Sequence, residues 1–176
     1  MSATNSLHYK LCCEGGKWLH KTMIIDNKDH WIGTCNIVAI EIVTASVENP
    51  DVWGLSGGNT VVIEVKTSRS DFLHDKKKLC RQNKNWSCGN YKYYLVPKGL
   101  ISKDEVPDNW GLLEWNEGKI ELIKRPEFIE SSGYGDLSIL SSIARREGVK
   151  NQIYYILLVL VVLVVLVILV LVGIQQ

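Results

Sequence analysis

Glu64 and Lys66 interrupt the most β-branched run of the chain, "VVIEVK" at 61–66. A carboxylate and an ammonium two residues apart on a strand project from the same face. Upstream, "PDVWGLSGGNT" carries a turn signal at 56–59, read as a four-residue hairpin loop. If Leu55 faces Thr60 across that loop, Asp51 falls opposite Glu64, and Asp51, Glu64 and Lys66 share one patch. Directly opposed carboxylates on neighbouring strands repel. A sheet tolerates them when a cation lies between them or one is protonated, and oxygen donors at this density suit a hard ion such as Mg²⁺ or Mn²⁺. Lys66 adds a positive charge that an attacking water or a developing phosphorane can use. The plain alternative is an internal Glu64–Lys66 ion pair, with Asp51 merely opening a strand. Such a pair adds little stability, so its placement calls for another reason.

The elements that must position these groups follow from the pattern. Leu11 to Thr22 carries Leu11, Cys12, Trp18 and Leu19 at helical spacing, weakened by Gly15–Gly16. Asn36–Ala45 is β-branched and reads as a strand, broken by "VENPD"; Asp51–Leu55 and Thr60–Thr67 are the arms of the hairpin. Ser70 is placed to cap a helix through "DFLHDKKKLCRQ", with Asp71 in its first turn. A loop at 83–90, a strand "YKYYLVP" at 91–97 and a second hairpin turning at Asn116–Gly118 complete the pattern, and 126–150 reads as loop and a short basic segment. The order helix, three strands, helix, strand predicts an α/β (α+β) fold on a mixed sheet, with a right-handed crossover.

Aspartate after proline, then an apolar strand with "EVK", resembles the PD-(D/E)XK nuclease superfamily. The wording "NPDVWGL…VVIEVKTSRSDFLHDKKK", with "NYKYYLVPKGLI" and "WGLLEWNEGKI" after it, is similar to small phage-type and MmcB-like members over about residues 9–125. The resemblance implies a restriction-endonuclease-like core and metal-dependent hydrolysis of DNA phosphodiester bonds. It makes Asp51 and Glu64 the ligands of Mg²⁺ (or Mn²⁺) and Lys66 the residue that orients or activates water. It also implies a further glutamate in the first helix, matched by Glu14, with Glu41 of the first strand as its rival. The Gln-x-x-x-Tyr motif of some members is absent after Gln82.

Arg69, Lys76, Lys77 and Arg81 cluster around the helix after the motif, as a phosphate backbone requires, although Asp71 and Asp75 dilute them. Tyr91, Tyr93 and Trp86 are candidates for stacking on bases, with core or rim packing as the alternative. His20 and His74 are lone histidines. "SGGN" lacks the Lys-Ser/Thr of a phosphate loop.

The net charge of +1 in 176 residues is unevenly placed, with none after Lys150. Ile153–Ile174 is an unbroken Val/Leu-rich run; at about 1.5 Å per residue it reaches roughly 33 Å, enough for a hydrocarbon core of about 30 Å. Tyr154 and Tyr155 at one end, behind Arg145, Arg146 and Lys150, predict a single-pass anchor with the N-terminal domain cytoplasmic. The expected layout is a nuclease-like domain at 1–130, a basic juxtamembrane linker at 131–150 and a transmembrane helix at 151–176. The first residues lack a signal-peptide core. Five cysteines without framework spacing suit a reducing compartment, and neither Cys-x-x-Cys nor His-x-x-x-His occurs, so no zinc site is expected. The expected partners are DNA, a lipid bilayer through 153–174 and a second copy in a homodimer. Two rival functions are a catalytically inactive nucleic-acid-binding module and a membrane-anchored phage exclusion or host-interaction protein.

Overall fold

The computed structural model describes residues 6–44, 48–82, 87–131, 133–147 and 159–164. The chain divides into two compact units, Met1–Ile139 and Leu140–Gln176. In the first, α1 (Leu7–Lys21) leads into a two-stranded ribbon, β1 (Ile24–Ile25) and β2 (Trp31–Gly33). A six-stranded mixed sheet follows: β3 (Ile37–Ile40), β4 (Val52–Ser56), β5 (Asn59–Val65), β6 (Tyr91–Pro97), β7 (Trp110–Asn116) and β8 (Lys119–Lys124), lying side by side in chain order. The β3–β4, β4–β5 and β7–β8 pairs are antiparallel, whereas β5–β6 and β6–β7 are parallel. Two short helices, α2 (Arg69–Asp75) and α3 (Leu79–Gln82), occupy the crossover between β5 and β6. The sheet and its helices thus agree with the α/β expectation.

The hairpin register is the predicted one: Leu55 pairs with Thr60 and Val52 with Ile63. Its loop is shorter than four residues. Ser56 and Asn59 are themselves paired, and the connection is Gly57–Gly58, with φ of 54° and 94°. Two successive positive φ values define the turn that matches strand twist, and glycine adopts them without steric cost.

Strand alternation sorts the side chains onto two faces. Val61, Ile63, Val65, Tyr93 and Leu95 form one core with Leu11, Cys12 and Leu19 of α1. Gly15 and Gly16 let that helix approach closely: a methyl group on Gly15 would stand 3.3 Å from Leu95, and one on Gly16 3.2 Å from Ile40. Tyr94, Val96, Trp110 and Leu112 form a second core with Phe72 of α2. Glu64 belongs by parity to this second face, away from the main body of α1.

Several boundaries differ from the sequence reading. The first helix begins at Leu7, a full turn before Leu11. The first strand stops at Ile40, because Glu41 takes a left-handed φ of 45°. The helix after the motif is capped by Ser68 rather than Ser70; the Ser68 hydroxyl accepts the Asp71 N–H at 3.2 Å. It also breaks in two around Lys76–Lys78. The segment read as loop and basic tail contains α4 (Tyr134–Arg146), which begins in the first unit and ends in the second. Asp136 in its first turn accepts Trp53 Nε1–H at 2.8 Å and the Gly89 N–H at 3.1 Å. Among the described residues no helix is long and apolar enough to cross a membrane. The expected span 153–174 lies outside the described residues apart from 159–164, which are helical and exposed.

Candidate functional site

The end of the β4–β5 hairpin brings Asp51, Glu64 and Lys66 together. Asp51 immediately precedes β4, and its Oδ2 accepts the Val65 N–H at 2.7 Å. That bond fixes the carboxylate against the backbone between Glu64 and Lys66. Glu64 and Lys66 are 1% and 3% exposed. Lys66 Nζ donates to Glu64 Oε2 at 3.1 Å and lies 3.3 Å from Asp75 Oδ1.

Charges buried this deeply persist only when partnered, and the partners come from distant elements. Asp75, at the end of α2, accepts from Tyr94 Oη at 2.7 Å and Arg81 Nε at 2.8 Å, and pairs with Lys78 at 2.7 Å. Lys78 also donates to Glu64 Oε2 at 3.2 Å. Arg81 reaches Glu48, whose other oxygen accepts the Cys88 N–H at 2.7 Å. Lys92 of β6 donates to Glu48 at 2.9 Å and to Ser87 at 2.7 Å. The guanidinium of Arg81 stacks 4.6 Å over Trp110, which itself stacks on Tyr94 at 4.4 Å. The described network therefore balances Glu48, Asp51, Glu64 and Asp75 against Lys66, Lys78, Arg81 and Lys92.

Within this balance Glu64 is the exception. Burial pushes its carboxyl up, Arg81 opposes that, and the neighbouring Asp51 charge raises it further; the net direction is up. Its Oε1 is buried without a hydrogen bond among the described residues, although Arg81 lies 3.3 Å away. Arg81, Lys66 and Lys78 already pair with this carboxylate, so a metal ion bound to it would share it with those cations. Asp75 behaves oppositely. Burial works against its ionised form, but the hydrogen bond from Arg81 and the charges of Arg81 and Lys66 hold it well below the carboxylate range. Glu48 is likewise lowered, because Lys92 and Arg81 outweigh burial. Lys66 is disfavoured as a cation by burial, yet Glu64 and Asp75 carry it above its ordinary value. It is therefore an ammonium that can orient and stabilise, and it is not a base near neutrality.

Of the expected catalytic residues, Glu14 does not join the cluster. Glu14 lies on α1 and pairs with Lys17 at 2.8 Å. The helix starts a turn earlier than its sequence pattern suggests, and His8 is the residue it brings to Asp51, with Nε2 3.4 Å from Oδ1. Glu41, the rival, comes to the same place: its Oε1 is 3.6 Å from His8 Nδ1, and its N–H donates to the Asp51 carbonyl at 2.8 Å. Arg81 does not face a phosphate backbone. Its side chain turns inward onto three carboxylates because the helix breaks before it.

Arg69 and Lys76 are exposed and both reach Glu105, Arg69 Nη1 at 3.1 Å from Oε2 and Lys76 Nζ at 3.3 Å from the carbonyl. Lys77 is exposed on the same turn. Tyr91 and Tyr93 are buried on the α1 side, with Tyr93 edge-on to Trp18 at 5.6 Å, so neither offers a stacking face. Trp86 lies outside the described residues, as does the side chain of Gln82. His20 bonds the Cys35 carbonyl at 2.9 Å and His74 the Ser70 carbonyl at 2.8 Å.

No family model and no curated protein matches the chain. Its fold is similar to a solved structure from Silicibacter pomeroyi, a protein of unknown function, with a TM-score of 0.50 and 22% identity over 66% of this chain and 77% of that one.

Proposed function

We propose that this chain is a metal-dependent nuclease that hydrolyses DNA phosphodiester bonds from a restriction-endonuclease-like core anchored to a membrane by 153–174. The observation that carries the reading is the meeting of Asp51, Glu64 and Lys66 at the end of the β4–β5 hairpin, with Glu64 a buried carboxylate disfavoured as an anion beside Asp51. Asp51 and Glu64 would hold Mg²⁺ or Mn²⁺, which polarises a phosphoryl oxygen and lowers the pKa of bound water. Lys66 keeps its proton and presents a fixed positive charge to the charge that develops on phosphorus oxygens. Arg69, Lys76 and Lys77 supply exposed positive charge beside this patch for the nucleic-acid backbone.

One observation favours a second reading, a binding module that retains the fold without turnover. Glu64 Oε2 is already held by Lys66 and Lys78. A single assay separates the two. The full chain in detergent is incubated with plasmid and single-stranded DNA in Mg²⁺, Mn²⁺ or EDTA. The nuclease reading expects cleavage that needs metal and falls on the order of 10²-fold or more in Asp51→Asn, a change that keeps the acceptor for Val65 N–H. DNA binding without cleavage in any metal would establish the second reading instead.

Anchoring is tested separately, by removing 151–176. The full chain is expected to float with lipid vesicles and the truncated one to stay in solution; a truncated chain that still floats would defeat the proposal.

A further inference from the structure

A second cluster of donors stands at the N-terminal end of α1. His8 and Cys12, one helical turn apart, share a face, and Glu41 approaches from the end of β3. His8 Nδ1 is 3.6 Å from Cys12 Sγ and 3.6 Å from Glu41 Oε1, and the donor atoms of all three residues lie within 4.8 Å of one another. Around a tetrahedral zinc ion with ordinary bond lengths, the nitrogen–sulfur and nitrogen–oxygen edges are about 3.5 Å and about 3.3 Å. Two of the three edges therefore already have almost the required length. The third can close by movement of the Glu41 side chain, which is 44% exposed.

The other ring nitrogen completes the argument. His8 Nε2 faces Asp51 Oδ1 at 3.4 Å. With the proton on Nε2 and directed at that carboxylate, the Nδ1 lone pair points at the thiol and Glu41. A carboxylate behind a histidine fixes its tautomer and raises its strength as a metal ligand. Cys12 is fully buried and closes the floor of the cluster, while His8 and Glu41 are open to solvent and leave a path for an ion.

We infer that His8 Nδ1, Cys12 Sγ and Glu41 Oε1 form a site for one transition-metal ion of the Zn²⁺ or Co²⁺ class, with Asp51 behind the imidazole and a fourth position for water. Binding exchanges the Cys12 thiol proton for the ion, so one proton is released and no oxidation occurs. Sulfur and imidazole donors select such an ion over Mg²⁺. Asp51 is common to this site and to the nuclease reading, but none of the three ligands is, so the thiolate signal of Cys12 reports on this site alone. In the sequence, His-x-x-x-Cys has the same one-turn spacing as the His-x-x-x-His pair whose absence argued against zinc.

The test is a titration of the chelator-treated full chain with Co²⁺, read by absorbance. One equivalent should give a thiolate-to-cobalt charge-transfer band in the near ultraviolet and the strong visible bands of tetrahedral cobalt. Cys12→Ser and His8→Ala should abolish the charge-transfer band and the tetrahedral geometry respectively; Asp51→Asn should weaken cobalt binding by about 10- to 100-fold. Cys13→Ser should leave the spectrum unchanged. His8 is partly exposed, so its variant keeps the test decisive even if Cys12→Ser fails to fold. No thiolate band in a chain with native circular dichroism would overturn the site. So would a band that survives both ligand variants, or one that follows Cys13.

Discussion

Arg81→Met should destabilise the protein by about 3–5 kcal/mol, measured by urea unfolding at neutral pH. Arg81 is shared among Glu48, Glu64 and Asp75, all 2% exposed or less. Removing one partner of a buried charge cluster leaves the others uncompensated, at a cost of about that size. Methionine matches the stem and packs against Trp110, so the loss isolates the charge. The pH dependence gives an independent check. In the parent, Glu48 and Asp75 have folded-state pKa values lowered below their unfolded ones. Their contribution is full above the unfolded values, near pH 4, and is lost as pH falls through the folded ones. Glu64 is already raised and Arg81 is the charge that chiefly opposes its protonation, so without Arg81 folding should take up a proton there and the variant should gain stability as pH falls from 7 towards 5. A deficit equally large at both pH values would mean that Arg81 acts through packing alone.

Lys66→Met should lower kcat for DNA cleavage on the order of 10²–10³-fold under the nuclease reading, with little change in DNA affinity. The ammonium is buried against Glu64 and Asp75 and does not face bulk solvent, so it contributes to charge development more than to capture of the polyanion. Because Glu64 and Asp75 keep Lys66 protonated well above neutrality, any pH–rate limb between pH 6 and 8 must belong to another group. Lys66→Arg, which retains the charge, should recover part of the rate. A Lys66→Met protein that folds, binds DNA and cleaves as fast as the parent would remove Lys66 from the mechanism.

Local chemistry made much of this structure legible in the sequence. The hairpin register was readable because turn residues and β-branched alternation lie within a few positions of each other; Leu55 opposite Thr60 carries Asp51 to Glu64 with no further assumption. The strand Tyr91–Pro97 and the turn before Lys119 follow from the same kind of signal. The partners of the buried charges were not readable. Glu48 sits in a segment whose sequence signals only a break, and its partner Lys92 is 44 positions away. Arg81 reads as one of a cluster of basic residues and Asp75 as a charge that dilutes it, until the structure breaks the helix between them and pairs the two in the interior. His8 was passed over because the apolar pattern of α1 starts at Leu11, while the helix starts at Leu7 under the Ser6 cap. The additional helix at Tyr134–Arg146 has few buried positions, so its pattern is faint.

The parallel pairing of β5 with β6 sets an order of events in folding. The β3–β4–β5 meander needs only short connections, so it can bring Asp51 opposite Glu64 early. Tyr94 reaches the level of Glu64 only after the whole crossover through α2 and α3 has closed, a larger loop with a larger entropic barrier. Until then Glu64 and Asp75 keep their hydration. Docking of β6 brings in Lys92 and Tyr94 as it expels that water, so desolvation and charge pairing fall in the same late step. A chain stalled before this step would leave Glu64 and Asp75 in solvent instead of trapping unpaired charge in a half-formed core.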